Sequence, residues 1–201
     1  MIAIIDYDAG NMLSVVKALK HLGEEPVITR DESVLKSADK IILPGVGAFG
    51  NAMKRLEGYD LIPVIKDCIS ADKPFFGICL GLQLLFERSS EAPGVAGIGA
   101  LPGSIEKIPT GEYSKIPHMG WNSLSFPNKG RLFSGIDEGS YVYFVHSFYL
   151  KAADRSIVTA TTEYNVTIDA SVESGNVFAC QFHPEKSGNV GLKILKNFID
   201  L

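Results

Sequence analysis

The residue best placed to do chemistry is Cys79, which lies in the segment Gly77-Ile78-Cys79-Leu80-Gly81. An apolar, strand-like run precedes this segment and a helix-like run follows it. Small residues on both sides of a nucleophile permit a sharp turn from strand to helix that exposes its side chain. Such a turn also points the first N–H groups of the helix toward the atom under attack. The pattern therefore predicts a reactive thiol.

A reactive thiol needs a base and a group that orients the base, and both types occur in His183-Pro184-Glu185. Pro184 favours extended backbone at His183, and side chains two residues apart on an extended chain point to the same side. Cys79 and His183 each follow a predicted strand, and such strand ends share one edge of an open α/β sheet. A histidine held by a local hydrogen bond is the alternative for His183 alone. The combination favours Cys79, His183 and Glu185 as catalytic residues.

The other histidines and cysteines carry weaker signals. His21 ends an amphipathic, helix-like segment, where a solvated side chain is expected. His118 and His146 either line a cleft or are buried and hydrogen-bonded. Cys68 and Cys180 lie in apolar patterns and are expected to be inert, because burial in apolar surroundings raises the pKa of a thiol.

A glycine-rich loop, Gly45-Val46-Gly47-Ala48-Phe49-Gly50, follows the third predicted strand. Its spacing matches the dinucleotide-binding fingerprint, but that fingerprint belongs to the first strand–helix turn and needs an acidic residue about 20 positions later. The loop is interpreted instead as an oxyanion loop, because glycine lets the backbone turn an N–H toward a developing negative charge. A plain tight turn is the other interpretation.

Composition limits the classes of function. The chain has 201 residues, 46% hydrophobic and 21% charged, with a net charge of −4. These values are typical of a globular domain and give no electrostatic case for nucleic acid or an anionic membrane. No signal peptide, membrane span, metal site or cofactor is predicted, and the three widely spaced cysteines indicate reduced thiols in the cytoplasm.

The secondary-structure elements that must position these groups differ between the two halves of the chain. Short, fully apolar strands alternate with helices in the first half, which predicts a parallel sheet covered on both faces. Strands separated by turn residues dominate the second half, and a final helix follows; no linker divides residues 1–201, so one domain is expected. The predicted strands are Ile2–Ile5, Pro26–Thr29, Lys40–Leu43, Phe75–Ile78, Ser104–Ile108, Asn122–Phe126, Tyr141–Tyr149, Ile157–Tyr164, Val166–Glu173 and Val177–Phe182. The predicted helices are Asn11–Leu22, Phe49–Ala71 with interruptions near Gly58 and Pro63, Leu80–Arg88 and Val190–Ile199.

Taken together, the motifs resemble the class I (triad-type) glutamine amidotransferases, over the whole length of the chain. Further segments resemble one subfamily, the glutaminase subunits of imidazole glycerol phosphate synthases. The motifs that carry the family resemblance are Pro44-Gly45-Val46-Gly47, Gly77-Ile78-Cys79-Leu80-Gly81 and His183-Pro184-Glu185. Those that carry the subfamily resemblance are Asp6-Tyr7-Asp8-Ala9-Gly10-Asn11, Pro117-His118-Met119-Gly120-Trp121-Asn122, Tyr143-Phe144-Val145-His146-Ser147 and His183-Pro184-Glu185-Lys186-Ser187.

The resemblance implies a fold and a reaction. The fold is α/β, with an open, mostly parallel central sheet flanked by helices and with added antiparallel strands in the second half. Cys79 would attack the side-chain amide of L-glutamine, His183 would move the proton, and Glu185 would orient His183. Backbone groups of Val46, Gly47 and Leu80 would hold the oxyanion. The residues implied to contact the substrate are Gly45, Gln83, Glu91, Ser147 and Phe148.

The resemblance also implies a protein partner. Ammonia would pass to a separate (β/α)8 cyclase subunit, and the two chains would form a heterodimer. Asn11, Trp121 and Lys186 are the candidate interface residues, although core packing is the other interpretation of Trp121.

Three alternatives stay open at this point. The chain could serve another class I amidotransferase, such as the one in pyridoxal phosphate synthesis. It could be a catalytically silent module that regulates a partner, which the intact Cys79, His183 and Glu185 argue against. It could be an ester hydrolase, but those enzymes usually take their acid from a separate strand before the histidine.

Overall fold

The computed structural model of the chain describes residues 1–8, 12–111 and 115–201. Its α-helices are α1 Met12–His21, α2 Glu32–Ser37, α3 Phe49–Gly58, α4 Leu61–Ser70, α5 Leu80–Leu84 and α6 Gly188–Ile199. Its strands are β1 Ile2–Ile5, β2 Val27–Thr29, β3 Lys40–Gly45, β4 Phe75–Cys79, β5 Arg88–Ser89, β6 Gly103–Lys107, β7 His118–Ser123, β8 Tyr141–His146, β9 Phe148–Ala152, β10 Val158–Tyr164, β11 Val166–Ser174 and β12 Val177–Cys180. Short 3-10 turns cover Arg131–Phe133, Arg155–Ile157 and Pro184–Lys186.

One large sheet organises the molecule, with the strand order β2-β1-β3-β4-β12-β11-β9-β6-β5 and with β10 paired to β11. The strands from β2 to β12 in this order run parallel, whereas β11 and β9 continue the sheet in antiparallel pairing. β7 and β8 form a separate antiparallel pair. The predicted α/β fold, a mostly parallel sheet with antiparallel additions in the second half, is confirmed.

Two apolar layers cover the sheet. On one face, Phe49, Met53 and Leu56 of α3 pack with α4 and α5 into one buried cluster. On the other face, α1 and α6 pack against β4 and β12, and Phe198 of α6 lies 5.1 Å from Phe76 between ring centroids. Both faces of β4 are therefore buried, which explains why its sequence is continuously apolar. In the described parts of the chain, no helix is long and apolar enough to cross a membrane.

The helices differ from the predicted ones in three places. The predicted Phe49–Ala71 helix breaks once, at Tyr59 and Asp60, where Asp60 has a φ of 52°. Pro63 does not interrupt α4, because it lies in the first turn, where a helix needs no N–H from it. α2 was not predicted, although Asp31 supplies its N-cap by accepting hydrogen bonds from the N–H groups of Ser33 and Val34.

α5 ends at Leu84, four residues before the predicted end, because the chain leaves the helix to pair with β6. The N–H of Glu87 donates to the carbonyl of Gly103, and the Glu87 carboxylate accepts the N–H of Gly103 in return. Arg88 and Ser89 then continue beside β6 as β5.

The predicted Tyr141–Tyr149 strand is two strands. The chain leaves β8 at His146 and enters β9 at Phe148, so it passes from the small sheet to the large one at Ser147. The predicted Asn122–Phe126 strand begins earlier, at His118, and ends earlier, at Ser123, because this segment pairs along the whole of β8. The crossing at Ser147 matters for the site described below, because it brings His146 and Phe148 to the edge of the large sheet.

Gly81 marks the closest approach between α5 and the sheet. A Cβ atom at this position would lie 1.9 Å from the carbonyl oxygen of Leu43 in β3. Only glycine therefore lets α5 begin directly behind Cys79, with the helix packed onto the neighbouring strand.

We expect Gly81→Ala to lower the free energy of unfolding by about 3 kcal/mol, because α5 must move away from β3 to make room for a methyl group. Gly58→Ala is the matched control, since no atom lies within 4 Å of a Cβ built there. That substitution, at the end of α3, should leave stability unchanged or raise it by up to about 1 kcal/mol. Urea unfolding followed by circular dichroism measures both. Equal stabilities of the two variants would contradict the packing argument.

Candidate active site

Cys79 occupies a strained turn at the carboxyl end of β4. Its φ is 56° and its ψ is −109°, which a non-glycine residue rarely adopts, and α5 begins at the next residue. Its thiol is 7% exposed. β3 and β12 run parallel to β4 on either side, so their carboxyl ends meet at the same edge. The predicted strand-to-helix turn is therefore present in the geometry.

His183 and Glu185 lie beside Cys79, on the segment that follows β12. The Nδ1 atom of His183 is 2.8 Å from Oε1 of Glu185, and the two side chains are 3% and 2% exposed. The backbone of this segment is held from both sides: His183 N–H donates to the carbonyl of Tyr143, and the Ser187 hydroxyl donates to the carbonyl of His183. The structure thus brings together the three predicted catalytic residues.

The electrostatic surroundings favour the charged form of His183. Burial alone would lower its pKa, but interaction with Cys79 and Glu185 outweighs burial and raises the pKa from 6.5 to about 9. Within the described residues, Nε2 of His183 has no hydrogen-bond partner at ordinary distance, although the thiol is close enough to shift its pKa. Nε2 is therefore the atom that faces the sulfur, while Nδ1 is held by Glu185.

A cavity of about 350 Å³ opens above the thiol. Among its lining residues are most of those predicted for the site: Val46, Gly47, Cys79, Leu80, Gln83, Glu91, Ser147, Phe148 and His183. Glu185 lies behind His183 and does not line it. A volume of this size suits a small-molecule ligand.

The glycine-rich loop closes one side of the cavity. Gly45 pairs with Cys79 across β3 and β4, and a Cβ there would lie 2.6 Å from the hydroxyl of Tyr7. Gly47 has a φ of 95°, in the region that favours glycine. The buried Tyr7 hydroxyl donates to the carbonyl of Pro44 at 2.9 Å, which fixes the start of the loop. Val46 and Gly47 therefore lie beside the sulfur on a loop whose base is anchored.

Gln83 and Glu91 both reach the cavity while making contacts within the protein. Nε2 of Gln83 donates to the carbonyl of Phe148 at 3.1 Å and to Oε1 of Gln181 at 2.9 Å. Oε2 of Glu91 accepts the N–H of Phe49 at 2.8 Å, at the first residue of α3. A carboxylate at a helix N-terminus is favourably placed, so Glu91 is tied to α3 and is not simply solvated.

Two histidines that the sequence left ambiguous form a buried pair next to this cavity. His146 lines the cavity, and its Nε2 is 2.9 Å from Nδ1 of His118. Burial lowers the pKa of His146 to about 3 and that of His118 to about 4, so both are neutral at pH 7. His118 also stacks between Phe144 and Tyr164, with ring centroids 4.6 and 4.0 Å away. The pair is thus buried and, through His146, also lines the cleft.

Sequence reasoning did not identify Gln181 or Tyr7. Gln181 is fully buried, and its Nε2 lies 3.7 Å from the sulfur of Cys79. Both residues stand next to motifs that did attract attention: Gln181 two positions before His183, and Tyr7 just after β1. The position of both residues near the carboxyl ends of strands is the signal that could have identified them.

The candidate interface residues lie outside the cavity. Trp121 is 55% exposed, lies edge-on to Tyr143 and reaches toward Gly188. This exposure does not fit the core-packing interpretation of Trp121. Lys186 is exposed beside the catalytic segment. Asn11 lies outside the described residues.

Comparisons with known proteins identify the family of this chain. The sequence model of the family "Glutamine amidotransferase class-I" matches residues 3–201. The chain is 50% identical over 198 residues to "Imidazole glycerol phosphate synthase subunit HisH" from Bacillus cereus, covering 98% of this chain and 93% of the relative. It is 49% identical over 200 residues to the protein of the same name from Moorella thermoacetica, covering 100% and 94%. A solved structure, "Crystal structure of glutamine amidotransferase", superposes with a TM-score of 0.77 at 19% identity, covering 100% of this chain and 98% of that one.

We expect an NMR titration of His183 to give a pKa near 9, falling in both Cys79→Ala and Glu185→Gln, because each removes a group that favours the imidazolium. The folded-state pKa lies above the unfolded value of about 6.5. The protonated ring therefore stabilises the fold fully below about pH 6.5 and loses this contribution as the pH rises through 9. An unchanged pKa in both variants would contradict this assignment.

Proposed function

The chain belongs to the class I glutamine amidotransferases, and we propose that it is the glutaminase subunit of an imidazole glycerol phosphate synthase. It hydrolyses L-glutamine to L-glutamate and ammonia, with residues 1–201 forming one amidotransferase domain. The observation that carries this proposal is the strained Cys79 next to the buried His183–Glu185 pair, at the base of a cavity of about 350 Å³. The named relatives at about 50% identity support the choice of this synthase over one for pyridoxal phosphate.

Cys79, His183 and Glu185 form the proposed catalytic triad. His183 takes the thiol proton through Nε2, and the sulfur attacks the side-chain carbonyl of glutamine. Collapse of the tetrahedral intermediate breaks the C–N bond, and His183 passes its proton to the departing ammonia. Water, activated by His183, then hydrolyses the γ-glutamyl thioester and releases glutamate. The 2.8 Å contact with Nδ1 supports Glu185 as the group that orients the ring and stabilises its charge.

The oxyanion is proposed to bind at the junction of α5 and the glycine-rich loop. The N–H of Leu80 points from the first turn of α5, where the helix terminus adds to its electrostatic effect. The backbone of Val46 and Gly47 supplies the second donor. The left-handed conformation of Gly47 supports a loop that can turn an N–H toward or away from the sulfur. If binding of the partner turns this N–H toward the sulfur, glutaminase activity depends on the partner.

The amino-acid end of glutamine is proposed to lie against Gly45, Gln83, Glu91, Ser147 and Phe148. All of these except Gly45 line the cavity. Glu91 offers a carboxylate to the substrate ammonium group, and its anchoring on α3 supports a fixed position for that contact. Ser147 and Phe148 line the cavity where the chain crosses between the two sheets, and the backbone there is proposed to contact the substrate.

The proposed partner is a (β/α)8 cyclase subunit that receives the ammonia, in a heterodimer in the cytoplasm. Trp121 and Lys186 belong to the proposed interface, and Asn11 is included on the sequence resemblance alone. The exposure of Trp121 supports this assignment, because a large exposed aromatic ring is a frequent anchor of protein interfaces.

We expect Cys79→Ala to reduce glutamine hydrolysis at least about thousandfold, because no other group replaces the nucleophile. Binding to the cyclase subunit, measured by isothermal titration calorimetry, should be unchanged. Cys68→Ala is the matched control, since Cys68 is buried behind α2, far from the cavity, and should keep wild-type activity.

The assay is run with the cyclase subunit and its ribonucleotide ligand, and separately with a pyridoxal phosphate synthase subunit. Ammonia should be incorporated only with the cyclase. Hydrolysis that persists in Cys79→Ala would overturn the mechanism, and transfer to the second partner would overturn the choice of pathway.

A further inference from the structure

A second polar side chain besides His183 lies close to the sulfur of Cys79. Gln181 lies on the segment that continues β12 and is fully buried. Its Nε2 is 3.7 Å from Sγ of Cys79, within hydrogen-bond distance for the large sulfur atom. Its Oε1 accepts a hydrogen bond from Nε2 of Gln83 at 2.9 Å. The amide group that contacts the sulfur is thus held in place by Gln83 through its oxygen atom.

The orientation of the Gln181 amide follows from a carbonyl group. The carbonyl oxygen of Phe148 can only accept, so the Gln83 atom 3.1 Å from it must be the NH2 group. The second N–H of that group points to Gln181, and the Gln181 atom that receives it must be the oxygen. The remaining atom of the amide, which faces the sulfur, is therefore NH2. The hydrogen-bond network therefore distinguishes the oxygen from the nitrogen of the Gln181 amide.

The carbonyl of Phe148 also accepts the last hydrogen bond of a series that begins at Asn122 on β7. Nδ1 of His146 lies 2.8 Å from the carbonyl of Phe148, so it must carry the proton. His146 is neutral, hence its Nε2 accepts from Nδ1 of His118, and Nε2 of His118 accepts from the amide of Asn122. In this series of hydrogen bonds every donor meets an acceptor. The series fixes the position of the Phe148 carbonyl and, through it, the side-chain amides of Gln83 and Gln181.

We propose that Gln181 is a fourth catalytic residue, whose side-chain N–H donates a hydrogen bond to the Cys79 thiolate. This inference rests on the proposed glutaminase reaction at the same site. Gln181 stabilises the negative sulfur twice: before attack, and again when the thioester is hydrolysed and the thiolate leaves. Gln83 and Phe148 hold the donor in place.

The chemistry explains the need for this donor. The thiolate forms on a residue that is 7% exposed, and a largely buried anion is costly unless donors surround it. The imidazolium of His183 faces the sulfur from the segment after β12 through one ring nitrogen. In the thioester the sulfur is neutral, and when hydrolysis releases the thiolate again the Gln181 amide is a donor that does not depend on the protonation state of His183.

A purely structural role would give a different result. If Gln181 serves only as a hydrogen-bond acceptor for Gln83, its loss would lower the stability of the fold without changing the reactivity of the sulfur. The decisive readout is therefore the rate at which iodoacetamide alkylates Cys79 as a function of pH, followed by mass spectrometry of the peptide that contains Cys79. This measurement needs no glutamine, so it stays informative even if the proposed function fails.

The experiment compares wild-type protein, Gln181→Met and Gln181→Glu, with alkylation measured on the full chain alone and kcat/KM measured on the complex with the cyclase subunit. Methionine keeps the length of the side chain and removes the donor. Glutamate keeps an acceptor for Gln83 and places an oxygen against the sulfur. We expect the midpoint of the alkylation profile to rise by about one pH unit in Gln181→Met, because the thiolate loses a hydrogen-bond donor. It should rise further in Gln181→Glu, and kcat/KM for glutamine should fall about tenfold or more in both.

Ser171→Ala is the matched control. Ser171 is buried on the adjacent strand β11 and donates to the carbonyl of Ala179 without touching the sulfur. Its alkylation midpoint should equal that of the wild type. Midpoints of both Gln181 variants equal to the wild type, or an equal shift in Ser171→Ala, would overturn the proposal. If Gln181→Met does not fold, Gln181→Glu decides alone, since it keeps the hydrogen bond from Gln83. Absence of glutamine hydrolysis in the wild type would instead count against the proposed function.

Discussion

The contact of Gly81 with the carbonyl of Leu43 controls where the reactive sulfur lies. Because α5 packs directly on β3, the chain must turn from strand to helix within one residue, and that residue is Cys79. The left-handed backbone at a non-glycine residue costs on the order of 1–3 kcal/mol. The buried layers on both faces of β4 hold the turn in this conformation. Strain at the nucleophile is thus supported by packing that extends through the whole domain.

Three histidines near the cavity have opposite electrostatic roles, and their partners explain the difference. His183 faces a thiol and a carboxylate, so its pKa is raised. His118 and His146 face each other, a backbone carbonyl and aromatic rings, so burial dominates and lowers the pKa of each. One side of the site therefore favours a protonated histidine, and the other side holds two neutral histidines in a hydrogen-bonded series. The two functions stay separate because the carboxylate of Glu185 contacts the ring of only one histidine.

Local sequence could predict the groups whose geometry is local. The turn at Cys79 depends on glycines within two residues, and the contact between His183 and Glu185 depends on their spacing along one segment. The contacts of Gln181 and of the His118–His146 pair depend on how distant strands align. His118 meets His146 because β7 and β8 pair in that register, which no short-range pattern encodes. The apolar run Tyr141–Tyr149 likewise divides at Ser147, because its first part pairs with β7 and its second part pairs with β6. Both partner strands are distant in sequence.

The exposed indole of Trp121 has a spectroscopic consequence. The sequence contains a single tryptophan, so the long-wavelength intrinsic fluorescence of the protein reports on one surface position. That ring is 55% exposed and lies beside Tyr143, whose backbone carbonyl accepts the N–H of His183. A protein that covers the ring would remove water from around it and shift its emission to shorter wavelength. The unlabelled chain therefore carries its own optical probe one strand away from His183.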